Sequence, residues 1–120
     1  MDFEWSTNEI ATMTISIYET NITLNKAACQ HFEDVNYVLL GLNKKDQIGI
    51  KPVTKQEIDD QIYPKSQLHR ISLGKSYGRI SNKSFVQDLA KAYDLDFEKN
   101  QCYKYQASYD VVHSILIAQL

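Results

Sequence analysis

The second half of this chain repeats the first. Arg70-Ile71-Ser72-Leu73 echoes Thr14-Ile15-Ser16-Ile17 at an offset of 56, and after one inserted residue Asn82 to Leu89 echoes Asn25 to Phe32 at an offset of 57. A chain that repeats its order of elements builds two like halves, and each half reads strand, strand, short helix, hairpin. The halves cover residues 13–52 and 69–120 and are joined by residues 53–68, all within one domain of residues 1–120. The predicted fold is α+β and mostly β.

Alternation marks the strands. Between Thr14 and Tyr18, Ile15 and Ile17 share one face, and Ile22 and Leu24 do the same after a turn at Glu19-Thr20-Asn21. Asn25 has the side chain to cap a brief helix over Lys26 to Phe32, in which Ala28 and Phe32 fall on one face. Tyr37 to Leu42 and Ile48 to Lys51 read as a hairpin about Asn43 to Gln47, ended by Pro52, which has no N–H for a ladder. From Val53 to Leu68 the pattern breaks. Thr54 and Glu57 fit a capping box, Ile58 and Ile62 share a face, and Tyr63-Pro64 stops the segment, so it reads as a helical linker. In the second half, Lys83 to Tyr93 forms a longer helix burying Phe85, Val86, Leu89 and Tyr93. Gln101 to Gln106 then pairs with Val111 to Leu120 around Ala107 to Asp110, and the apolar run from Val111 reads as a central strand buried on both faces.

Charge divides the halves. Residues 1–60 carry five Lys and ten acids, a net of −5, whereas residues 61–120 carry six Lys, Arg70 and Arg79 against five acids, a net of +3. No acid stands between Asp60 and Asp88, while Lys65, Arg70, Lys75, Arg79 and Lys83 recur through that stretch. Such a tract attracts phosphates. The 43% apolar and 23% charged residues are those of a folded soluble domain and exclude a disordered, collagen-like or coiled-coil chain. No run nears the ~18 apolar residues of a membrane helix, and Met1-Asp2-Phe3-Glu4-Trp5 has neither the basic patch nor the apolar run of a secretory leader. The expectation is a cytoplasmic protein with no membrane partner, in which Cys29 and Cys102 stay reduced.

This arrangement of elements resembles the AbrB/SpoVT group of swapped-hairpin DNA-binding domains. The match lies in Leu73-Gly74-Lys75-Ser76-Tyr77-Gly78-Arg79-Ile80-Ser81-Asn82-Lys83 and in Ile22-Thr23-Leu24-Asn25-Lys26-Ala27-Ala28, set against the family's Gly-Arg-Val-Val-Ile-Pro pattern before its helix. The resemblance implies that two halves interleave their hairpins into one barrel, here as a pseudo-dimer within one chain and hence a monomer. The family's proline is replaced by Asn25 and by Asn82 or Lys83. Its paired arginines have become Cys29-Gln30 and residues 86–88. Arg79, with Lys75 and Lys83 beside it and Lys26 at the equivalent place in the first half, are what the resemblance leaves as phosphate contacts, and Arg70 and Lys65 add attraction at longer range. Gly74 and Gly78 are expected to frame Lys75 to Arg79 as a projecting loop.

Enzyme signatures are poor. Gly74-Lys75-Ser76 ends like a phosphate-binding loop, but His69 stands where that motif needs glycine and Gly78 interrupts any helix opening at the lysine. Cys29 and His31 are close in sequence, yet neither His69 nor His113 is spaced to complete a metal site, and Asp59-Asp60 sits in the polar linker. No enzyme activity, cofactor or metal is expected. Tyr103 and Tyr105 alternate onto one face and offer rigid, amphipathic area for an interaction. Two functions follow: a transcription-regulator-like protein binding duplex DNA through its second half, or a protein-interaction module on the same fold without DNA binding.

Overall fold

The computed structural model describes residues 12–120, so Met1 to Trp5 lie outside the described residues. The strands are β1 (Met13–Tyr18), β2 (Asn21–Asn25), β3 (Tyr37–Leu42), β4 (Gln47–Val53), β5 (His69–Leu73), β6 (Tyr77–Ser81), β7 (Cys102–Asp110) and β8 (Ile115–Gln119). They close into a barrel in the order β1-β2-β6-β5-β3-β4-β8-β7. Every neighbouring pair is antiparallel. Closure matters because an open sheet of this size would leave two unpaired edges.

Period-2 alternation builds the interior. Ile15, Ile17, Ile22, Leu24, Ile48, Ile50, Ile80 and Leu116 are each at most 1% exposed and fill the lumen, which in a barrel of eight strands is just wide enough for side chains. Two helical segments complete it. Helix α1 (Lys26–Cys29), continued by a 3-10 turn at Gln30–Phe32, contributes Ala28 and Phe32, and α3 (Lys83–Tyr93) contributes Val86 and Leu89, with Phe85 and Tyr93 packed against the core's margin. Between β4 and β5, α2 (Lys55–Asp59) and a 3-10 turn at Lys65–Gln67 make up the linker.

The helices begin where their capping residues stand. Asn25 Oδ1 accepts from Ala28 N at 3.1 Å and also from Thr14 N at 3.1 Å, so one side chain starts α1 and fastens it to β1. Thr54 and Glu57 exchange both hydrogen bonds of a capping box at α2. At α3, Asn82 Oδ1 accepts from Phe85 N at 3.0 Å, which commits the oxygen and turns the amide nitrogen toward His69 Nδ1, 3.0 Å away. That nitrogen only donates, so His69 Nδ1 is the acceptor and the neutral ring carries its proton on Nε2. Replacing Asn82 with Ala therefore removes a cap and orphans a half-buried imidazole; the expected cost is about 1 kcal/mol or more, read as a lower urea midpoint at unchanged slope. An unchanged midpoint would show that neither bond matters.

Burial also holds the His69 ring below its ordinary 6.5. The folded state then binds fewer protons than the unfolded one as the pH falls. The stability this neutral ring contributes is complete above 6.5 and is lost as the pH descends through the lowered folded value. Urea midpoints measured across that acid range should fall, and His69→Gln should flatten the fall. A variant as acid-sensitive as the parent would assign the effect to other groups.

Four sequence expectations change. Pro52 does not end β4, which continues to Val53 along β3; β8 reaches only as far as Ile50, so beyond it β4 has one neighbour and a residue without N–H is tolerated on the free side. Val53 therefore belongs to the barrel, and the helical part of the linker is a single turn ended by Gln61 in the left-handed region at φ 53°. The last hairpin turns at residues 111–114, not at Ala107 to Asp110. Asp110 accepts from His113 N at 3.2 Å and pairs with His113 Nδ1 at 2.7 Å, and Ser114 takes φ 55°, so this turn chemistry overrides the strand propensity of the two valines. Val111 and Val112 are accordingly 78% and 86% exposed at the tip, and β8 buries only one face, through Leu116 and Ala118.

Candidate nucleic-acid interface

The cross-strand register sets an outward row. With Ile15, Ile17, Ile22, Leu24 and Ile80 turned inward, their strand neighbours turn out. Lys104 stands opposite Ser16, Ser16 opposite Thr23, Thr23 opposite Arg79, and Arg79 opposite Ser72. One row thus crosses β7, β1, β2, β6 and β5, with its two cations three strand spacings apart, roughly 14 Å. The flanking rows place Tyr18 opposite Cys102 and Asn21 opposite Ser81 on one side, and Thr14 opposite Gln106 and Asn25 opposite Tyr77 on the other. None of these three rows contains an acid, so the face offers hydroxyls, amides, aromatic rings and positive charge.

Arg79 anchors it. Its guanidinium lies over the Tyr77 ring at 5.6 Å from the centroid, a contact that holds the long side chain against the sheet. On the other side, Tyr18 stands opposite Cys102, whose thiol raises the phenol above its ordinary 10.0, while the positive charge of Arg79 pulls it the other way. Tyr18 is therefore uncharged at neutral pH within the field of the Arg79 cation.

The remaining cations are not equivalent. Arg70, exposed on β5, and Lys83, the exposed first residue of α3, extend the basic face toward the Ser81 end of β6. Lys75 occupies the turn between β5 and β6 at the other end, where it lines a cleft with Lys26, Glu33 and Asp34. The tract that is acid-free in sequence is therefore bordered by two acids in space. Lys65 stands on the linker's 3-10 turn and lines a groove with Glu57, off the barrel wall.

Two expectations of local shape are corrected. Gly78 is not a loop hinge: it is buried in β6, and a Cβ there would meet Cys29 Sγ at 2.9 Å and Leu73 Cδ2 at 3.0 Å, so glycine is present because α1 packs directly on the strand. Arg79 is consequently carried by a rigid strand, and only Gly74 to Ser76 form the turn. Tyr103 and Tyr105 do share a face, but it is the one opposite Ile17 and Ile15, turned toward the core. The Tyr103 hydroxyl accepts from Asp96 N at 2.7 Å and donates to Asp96 O at 3.2 Å, its ring meets Phe97 edge-on, and Tyr105 is half-buried against the core. The pair packs on the core side, and the outward residue between them, Lys104, joins the basic row.

Cys29 and His31 also part company. Cys29 faces Gly78 and the Leu24 carbonyl, with burial raising its thiol, whereas His31 stacks on Tyr109 with ring centroids 3.8 Å apart and planes 5° from parallel. Among the described residues, no three His, Cys, Asp or Glu side chains converge as a metal site would require. Comparisons of the chain with protein-family models, curated proteins and solved structures find no match.

Proposed function

We propose that this chain is a DNA-binding, transcription-regulator-like protein whose two swapped-hairpin halves form a pseudo-dimer within one barrel. The barrel order supports the duplication. Exchanging β1–β4 with β5–β8 leaves the order unchanged, read in the opposite sense: β2 pairs with β6, β4 with β8, and the β1–β7 seam is matched by the β5–β3 seam. Asn25 and Asn82 start the helix that follows the second strand of each half. A barrel already closed by one chain lacks the sheet edges that drive pairing, and the protein accordingly acts as a monomer.

The observation that carries the DNA reading is the acid-free outward face spanning Lys104, Ser16, Thr23, Arg79 and Ser72. Its few cations make weak, strongly salt-dependent binding the expected behaviour. The test is fluorescence anisotropy of a labelled duplex titrated with the protein at low and at high salt. Binding at low salt that salt abolishes supports the reading; no binding at low salt ends it and leaves the protein-interaction module.

A further inference from the structure

On the opposite side of the barrel, the outward face of β3, β4 and β8 lacks side chains at its centre. Gly41 and Gly49 face each other directly across β3 and β4, and Gly49 lies opposite Ile117 of β8. Among the described residues no helix covers the gap. The linker's 3-10 turn borders it instead, with Ser66 and Gln67 lining an open cleft of about 460 Å³. That volume falls within the roughly 300–1,000 Å³ of small-molecule sites. A second, shallower hollow shares Gly41, Gly49 and Ile115 and prolongs the slot along the sheet.

The walls are of two kinds. Leu39 and Ile115 flank the glycine floor and make a flat apolar slot. At one end stand two side chains that can only donate, one of them positively charged. Lys51 stands opposite Leu39 and is held by a bond from its Nζ to His113 O at 2.8 Å, its one hydrogen bond among the described residues. His69 lines the same end, and with its Nδ1 already accepting from Asn82 its remaining polar atom is a neutral Nε2–H donor. Ser66 adds a hydroxyl. Among the described residues no acid lines this cleft, whereas the larger groove beside α2 contains Glu57. Glu57 does feel the charge of Lys51, but its carboxylate is engaged first by the Thr54 backbone in the capping box.

The geometry points to a binding site for a small carboxylate with a flat apolar body, the ring or chain lying over Gly41 and Gly49 and the carboxylate meeting Lys51 and His69. The two glycines admit the flat body because any larger residue would occupy the slot, and the donor end prefers an anion because the Lys51 ammonium meets a carboxylate with a charge-assisted bond that a neutral amide cannot make.

The experiment titrates the intact chain, without DNA, with naphthoate and with naphthamide of the same shape, following backbone amide shifts by NMR. Naphthoate is expected to shift the amides of Gly41, Gly49 and Ile115 saturably, and naphthamide to bind at least ~10-fold more weakly. A Cβ at Gly41 meets nothing within 4 Å, so Gly41→Leu fills the slot without disturbing the barrel and should abolish the shifts while thermal unfolding is unchanged. Lys51→Met should lower naphthoate affinity by about 10-fold and leave naphthamide unaffected. The inference is overturned by an absence of saturable shifts, by shifts that survive Gly41→Leu, or by equal binding of acid and amide.

Discussion

Phe32→Ala is expected to destabilise the protein by about 3–5 kcal/mol, the largest effect of any single substitution considered for this chain. Phe32 is fully buried at 0% exposure and belongs to the same cluster as the barrel's isoleucines, although it comes from the 3-10 turn after α1 and not from a strand. Its ring fills space that eight rigid strands cannot collapse into, so truncation leaves a cavity as well as losing burial. Against a typical total of about 5–15 kcal/mol, that loss consumes a large share. Urea unfolding followed by circular dichroism should show a much lower midpoint at similar slope, with Phe32→Leu losing far less. A loss below about 1 kcal/mol would mean that the turn carrying Phe32 repacks freely and does not anchor the core.

Phe32 also marks how far local signals reach. Its place four residues after Ala28, behind a capping asparagine, is enough to put both on one buried face, and α3 from Lys83 to Tyr93 follows from the same two signals. Strand faces were equally readable wherever isoleucines alternate. Three features were not, each for a physical reason. Whether Pro52 ends β4 depends on how far β8 extends along its other side, a fact about a strand some sixty residues away. The tip at Val111 and Val112 is decided by Asp110 bonding to His113, a local bond whose residues were visible but outweighed by β-branched propensity. Gly78 looked like a hinge because glycine permits turns, yet the close approach of Cys29 that requires it is a tertiary contact.

The candidate interface divides in the same way. Arg79, Arg70 and Lys83 are legible in the sequence as cations of the acid-free tract, whereas Lys104 lies outside that tract, between Tyr103 and Tyr105. The alternation that turns those tyrosines inward turns Lys104 outward, and that inference was available from the sequence alone. That Lys104 and Arg79 share one row was not available, since it needs the β7-β1-β2-β6 pairing order. Nor was the proximity of Glu33 and Asp34 to Lys75, which arises only when α1 folds back onto β6.

This geometry separates cations that are alike in sequence. In DNA titrations across salt, Arg79→Ala/Lys104→Ala is expected to flatten the slope of log affinity against log salt by about two units, one for each lost phosphate contact. Arg79→Ala alone should cost roughly 1–3 kcal/mol where its guanidinium forks onto a base edge, because the Tyr77 ring already holds it extended along the rigid strand. Lys75→Ala/Lys83→Ala should have a smaller, unequal effect, carried mostly by Lys83, since Lys75 is partly offset by its acidic neighbours. Glu33→Gln/Asp34→Asn should accordingly raise affinity at low salt and return Lys75 to the interface, with no change in stability expected at these exposed positions. Equal binding by the parent and Arg79→Ala/Lys104→Ala at every salt concentration would remove the outward row from the mechanism. A neutral response to Glu33→Gln/Asp34→Asn would show instead that DNA never approaches the Lys75 end, confining contact to the middle of the sheet and the Arg70 and Lys83 end.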